Sequence, residues 1–282
     1  MWRAVGIMIV GMCCIPLGDT AGKLMTAGGV SPFFVAWTRF ALAGVLLAPF
    51  VDWSEARVLR DPRIWLRAAI IAAAISSILT ALKTEPIANV FGAFFIGPIV
   101  SFTLSAIFLR ETATPARAAL LIVGFLGVIL VVQPGQDMRP GLLFAVLAGG
   151  LYGTFLTTSR WLANVAQPTM LLFSQLAIPT LLLAPLGLAN IPVMTPQIGV
   201  LVTVSSLGSM AGNLLLILAM RMAESTRLAP FVYFQIVAAT VFGVVVFDTI
   251  PDPLAMAGIT LLVLSGFASL ALPSPRSPDR RG

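Results

Sequence analysis

Hydrophobic positions in this chain are gathered into ten long runs, separated by short polar connections that often carry Gly or Pro. A helix crossing the hydrocarbon core needs about 20 mainly apolar residues. By that measure the runs predict spans at 5–26, 32–50, 68–84, 87–109, 117–133, 141–159, 167–187, 197–219, 228–247 and 253–272. The longest connection, 51–67, is polar and Arg-rich, with Trp53 and Trp65 as expected interface anchors. The tail 273–282, PSPRSPDRRG, reads as disordered and cytoplasmic.

Composition turns this pattern into a fold class. Only 10% of the 282 residues are charged and 59% are hydrophobic, whereas soluble domains carry about a quarter charged residues. So few charges cannot cover a water-facing surface, so the outer solvent is lipid. The expectation is an all-α membrane protein with no separate soluble domain. Histidine is absent, and the only cysteines are the adjacent pair Cys13 and Cys14. Neighbouring cysteines on a helix do not meet disulfide geometry, and two thiols without histidine do not make a zinc site. They read as packing residues, and neither a metal nor a cofactor is expected. No A-x-A cleavage site follows the first run, which carries Asp19 and Lys23 and leads straight into a second span.

The net charge of +6 reads as the arginine bias of cytoplasmic loops and not as a nucleic-acid surface. With the N-terminus inside and ten spans alternating, the cytoplasmic face receives Arg3, Arg57, Arg60, Arg63, Arg67, Arg110, Arg117, Arg160, Arg221, Arg227, Arg276, Arg280 and Arg281. The outer face receives only Lys83 and Arg139, while Lys23 and Arg39 lie within spans. A missed or invented span would scramble this asymmetry. Both termini are therefore expected in the cytoplasm, in a multi-pass protein of the plasma (inner) membrane.

The second half of the chain echoes the first. LRETATPARAALLIVGFLG stands opposite VFDTIPDPLAMAGITLLVLSG, with Glu111 and Asp248 in matching places. Spans 1 and 6 both carry GxxxG, at Gly18/Gly22 and Gly149/Gly153, a spacing that lets helix backbones approach closely. Five spans per repeat is an odd number, so the halves must lie upside down relative to each other. The expected units are 4–133 and 141–272.

GDTAGKLM followed by WTRFALAG, LRET closing span 4, and AMRMAESTRLAPFVYFQIVAATVFGVVVFDTIPD over the 8–9 turn and span 9 together resemble the ten-helix EamA-type branch of the drug/metabolite transporter superfamily. The resemblance runs from about Ala4 to Leu272. FDTIPD departs from the acid-containing Gly-Glu turn of many relatives, which bears on subgroup and not on fold. The resemblance implies two inverted five-helix repeats around a central cavity, in a protein of monomer size. It implies alternating-access movement of a small organic solute, with the lipid bilayer as its other partner.

Three charged residues at span depth stand out, because a charge near a helix centre costs about 3 kcal/mol on insertion scales. Asp19 and Lys23 are four residues apart on one face and can pair. Arg39 lies at similar depth on span 2. Two readings follow. The trio locks spans 1 and 2 together, or its surplus cation attracts an anionic group on the substrate, such as the carboxylate of an amino acid. Asp19 is the one obvious group for proton coupling, although two nearby cations oppose its protonation. Trp37, Asn89, Tyr152, Gln175, Asn213, Tyr233 and Gln235 form a second group of substrate-binding candidates, with interhelical packing as the alternative for each. Pro16, Pro98, Pro179 and Pro230 interrupt spans, and Pro16, Pro98 and Pro230 are taken as hinges. Lys83 and Glu85 read as a solvated outer rim, and Glu224 as part of the inner 8–9 turn.

No GxxxxGK[ST] motif is present, so nucleotide hydrolysis through a P-loop does not power the chain. A membrane-embedded enzyme acting on lipid would need clustered acids, a His pair or an activated Ser, and this supply is thin. The chain is read as a transporter and not an enzyme. A structural or sensory subunit remains the alternative that shows no solute flux.

Overall fold

A computed structural model describes residues 2–108, 115–133, 139–222, 231 and 233–271. Its helices are α1 (Trp2–Ala27), α2 (Pro32–Leu47), α3 (Pro62–Thr84), α4 (Ile87–Phe94), α5 (Ile96–Phe108) and α6 (Pro115–Val132) in the first half. The second half has α7 (Pro140–Trp161), α8 (Pro168–Ala189), α9 (Pro196–Met222), α10 (Phe234–Phe247) and α11 (Pro253–Ala271). Among the described residues, seven helices or helix pairs are long and apolar enough to cross a membrane, and Ile122–Val132, Phe234–Phe247 and Pro253–Ala268 are shorter apolar helices.

Among the described residues, seven of the eleven helices begin on a proline. The first helical position has no intrahelical partner for its N–H, so proline loses nothing there and its φ is already helical. At α3 the preceding Asp61 adds a cap, its carboxylate accepting from the Arg63 N–H at 2.9 Å. This Asp-Pro start carries α3 two turns beyond the expected beginning at 68. The connection before it is not loose. It forms two 3₁₀ turns, Ala48–Phe50 and Trp53–Arg60. Trp53 meets Phe173 edge-on at 5.1 Å, and Glu55 accepts from the backbone N–H of Gln167 at the start of α8. Trp53 and Trp65 stay exposed, as interface residues should.

One expected span is broken. Phe95 separates α4 from α5, and Pro98 sits in the first turn of α5. Proline cannot donate to the carbonyl four residues back, which frees the carbonyl of Phe94. Gly149 of α7 packs directly on that carbonyl, where any Cβ would overlap it. Gly153 lies as closely on Gly97 of α5. The other GxxxG is used differently, with Gly18 against Ser205 and Ser209 of α9 and Gly22 against Leu79 of α3.

The principal neighbours are α1 with α9, α3 with α7, α6 with α11, α2 with α8, α5 with α7 and α1 with α10. Exchanging each helix for its counterpart in the other half (α1 for α7, α2 for α8, α3 for α9, α4–α5 for α10, α6 for α11) maps this set onto itself. The fold is an all-helical, two-repeat bundle whose main apolar core draws on both halves, from Phe34 and Leu79 to Ala145 and Ile236. Pro230, Glu111, Glu224 and the tail 273–282 lie outside the described residues.

Candidate functional site

Asp19 sits eight residues from the C-terminal end of α1, Arg39 seven residues into α2 and Ser205 nine residues into α9. At 1.5 Å per residue these depths agree within about 3 Å, and the three side chains meet. Arg39 Nη2 lies 2.6 Å from Asp19 Oδ1, with both side chains 6% exposed. Arg39 Nε donates to Ser205 Oγ at 2.7 Å. Gly18 lets α9 come close enough for Ser205 to reach the pair.

Lys23 does not join them. Its ammonium donates to the carbonyls of Leu82 and Glu85 at the C-terminal end of α3 and lies 5.3 Å from the centre of the Phe247 ring. The flexible lysine stem reaches the unpaired carbonyls of a helix C-terminus, where cations are favoured, and Arg39 already occupies Asp19. The expected cluster of two cations and one anion is thus a one-to-one pair plus a separate lysine site. Glu85 is also not a solvated rim residue. It is only 4% exposed, and its carboxylate faces Arg139 at 3.9 Å.

A second polar centre was missed from the sequence. Arg67, expected in a cytoplasmic loop, lies inside α3 and is 5% exposed. Its Nε donates to Ser159 Oγ at 2.8 Å, Nη1 to the Leu171 carbonyl at 3.2 Å and Nη2 to Gln175 Oε1 at 2.9 Å. Its guanidinium carbon stands 4.8 Å from the centre of the Phe155 ring. The Asp-Pro start of α3 was the signal that could have placed it in the membrane.

From Phe155 an aromatic row leads away from Arg67. Phe155 stacks on Tyr152 at 6.0 Å, Tyr152 meets Phe94 at 5.1 Å, and Phe94 meets Phe91 at 6.4 Å. Phe91 and Phe94 belong to α4, and Tyr152 and Phe155 to α7, so the row bridges the two halves. The break at Phe95 and the absence of a side chain at Gly149 bring these helices together.

The structure therefore places Gln175 on Arg67, with Tyr152 one ring further along the aromatic row, and Asp19 on Arg39. The remaining candidates are dispersed. Trp37 packs against Gly187 and Phe34, its indole N–H buried without a partner. Asn89 is 4% exposed with its side-chain carbonyl unpartnered. It lines a cleft of about 590 Å³ with Val131, Gln133, Arg139, Leu142 and Asp252. Asn213 donates back to Ser209 on its own helix. Tyr233 packs on Phe95 at 5.0 Å and against Gly266, and Gln235 is half-buried at the start of α10. Pro16 is buried within α1, where Thr20 returns a hydrogen bond to its carbonyl, and Pro179 lies within α8.

The model of the EamA-like transporter family matches residues 2–133 and, a second time, residues 139–270. This chain belongs to that family. Among its relatives, the S-adenosylmethionine uptake transporter of Rickettsia bellii (strain RML369-C) is 26% identical over 239 residues, covering 82% of this chain and 81% of the relative. The riboflavin transporter of Brucella anthropi is 24% identical over 249 residues, covering 84% and 87%. A crystal structure of a protein 22% identical aligns with a TM-score of 0.63 over 94% of this chain and 96% of its own, a likeness in fold. This EamA-like transporter is accordingly a multi-pass membrane protein that moves a small metabolite and is not an enzyme.

Proposed function

We propose that this EamA-like protein is a secondary transporter of the plasma (inner) membrane, with both termini cytoplasmic, working by alternating access between inverted halves 4–133 and 141–272. Its solute is a small organic metabolite with a flat ring. The observation that carries this reading is the row Phe91, Phe94, Tyr152 and Phe155, which runs between the two halves. Aromatic faces offer offset-stacked or edge contacts to a planar ring, worth about 0.5–1.5 kcal/mol beyond buried area. Two relatives are named for S-adenosylmethionine and riboflavin, compounds that both contain planar heteroaromatic rings. The exchange of helix neighbours between halves supports a two-fold relation, and an odd number of spans per half makes that relation an inversion.

On this reading Asp19 and Arg39 clamp α1 to α2 and α9, and Asn89 faces the outer approach. The test begins with thermal shifts of the purified protein against nucleosides, flavins, S-adenosylmethionine and aromatic amino acids, since a ligand of the native state raises apparent stability. Stabilising compounds are then assayed for uptake into proteoliposomes. Saturable flux that is lost in Tyr152→Ala is expected. Absence of flux for every stabilising compound would defeat the transporter reading.

A further inference from the structure

Among the described residues, five charged side chains are buried: Asp19, Lys23, Arg39, Arg67 and Glu85. Arg39 is matched by Asp19, and Lys23 lies at the Glu85 end of α3, whose carboxylate also faces Arg139. Among the described residues, Arg67 alone of these five faces no carboxylate. Its partners are a hydroxyl, a backbone carbonyl, an amide oxygen and a ring face, all neutral. A guanidinium carries five N–H groups, and three are used. Two N–H donors and one full positive charge remain unmatched in a buried position about five residues inside the bundle, a costly arrangement unless something else completes it.

We propose that Arg67 is the anion-recognition residue of the transport path, receiving a carboxylate or similar planar oxyanion on the solute. Guanidinium and carboxylate match in shape, and an ionised acceptor strengthens each bond. Ser159, Leu171 and Gln175 come from α7 and α8, so they fix the guanidinium without neutralising it. Phe155 lies against it and continues into the aromatic row, so an anionic group on Arg67 places an attached ring beside Phe155 and Tyr152. The substrate class is an aromatic organic acid or zwitterion. This rests on the transporter reading above and moves substrate recognition from Arg39, whose charge Asp19 already balances, to Arg67.

The experiment uses matched acid and amide pairs that differ only in ionised oxygen: indole-3-acetate and indole-3-acetamide, tryptophan and tryptophanamide, benzoate and benzamide. Binding to the full-length protein in detergent is read by thermal shift. At least one acid should bind roughly tenfold more tightly than its amide, the worth of one charge-assisted contact. That preference should vanish in Arg67→Gln and persist, reduced, in Arg67→Lys. Equal binding of acids and amides, or a preference that survives Arg67→Gln, overturns the proposal. Should the glutamine variant fail to fold, photolabelling of the wild-type protein with 4-azidobenzoate decides. Label on the peptides holding Arg67 or Phe155 supports the assignment, and label confined elsewhere refutes it. Proteoliposome flux separates the two readings: transport of amides and acids alike sinks the role of Arg67 and leaves the transporter, whereas acid-selective binding without any flux does the reverse.

Discussion

Arg39 binds Asp19 at 2.6 Å through one terminal nitrogen while its Nε holds Ser205 on α9. One guanidinium thus ties two helices of the first half to a helix of the second. The pair is nearly free of solvent, and each charge pays for its desolvation only through the other. Removing one partner leaves an uncompensated charge; removing both leaves a small polar gap.

Asp19→Ala and Arg39→Ala should each destabilise the protein by about 3–5 kcal/mol, the usual cost of breaking a buried pair. The double variant should recover part of that loss. Thermal unfolding of the four proteins in one detergent measures the coupling. Single-variant losses that simply add would show that the two side chains do not stabilise each other.

Gly149 and Gly150 make a matched pair. A Cβ at Gly149 overlaps the carbonyl of Phe94, whereas one at Gly150 meets nothing within 4 Å. Gly149→Val should therefore cost at least 1–3 kcal/mol through overpacking, and Gly150→Val should be close to neutral. Tm and the yield of monodisperse protein compare them. Equal tolerance at both positions would contradict the close α5–α7 approach.

The proposed topology is tested by cysteine labelling in a Cys13→Ser, Cys14→Ser background. Val193→Cys, in the exposed 7–8 connection, should react with a membrane-impermeant maleimide in intact cells. Ser54→Cys, in the 2–3 connection, should react only after permeabilisation. The opposite pattern inverts the protein in the membrane.

Asp252 caps α11, accepting from the Ala255 N–H at 2.9 Å and from the Gln133 side chain at 2.8 Å. The Ala255 N–H foremost, with help from Gln133, holds its carboxyl below the ordinary carboxylate range. Because the folded value lies below the unfolded one, the stabilisation is complete above the unfolded pKa of about 3.9 and disappears as pH falls through the folded value. Asp252→Ala should lower stability by about 1 kcal/mol near neutrality, as loss of a helix cap does. The gap in Tm between wild type and variant should close in acid; a constant gap from pH 7 to pH 3 would mean that the charge plays no part.

The blocks of apolar sequence were enough to locate the described helices approximately, though not the early start of α3 or the break in span 4, because lipid forces every span to satisfy its backbone internally. The pairing of Asp19 with Arg39 was legible for the same reason, since charges at equal depth on adjoining helices have few other partners. What escaped was set by chain reversals and by side-chain reach. Asp61 and Pro62 start α3 early enough to submerge Arg67. Lys23 stretches away from the acid on its own helix face to the carbonyl end of α3. The break at Phe95, which the position of Pro98 hinted at, shapes the approach of α4 and α5 to α7.

The contacts of α3 with α7 carry a mechanical consequence. Arg67 reaches Ser159 near one end of this pair, and Glu85 faces Arg139 near the other. Two rods fastened at top and bottom and packed between cannot slide lengthwise past each other without undoing both fastenings. They behave as one strut, so the alternating access proposed above would swing the remaining helices about it.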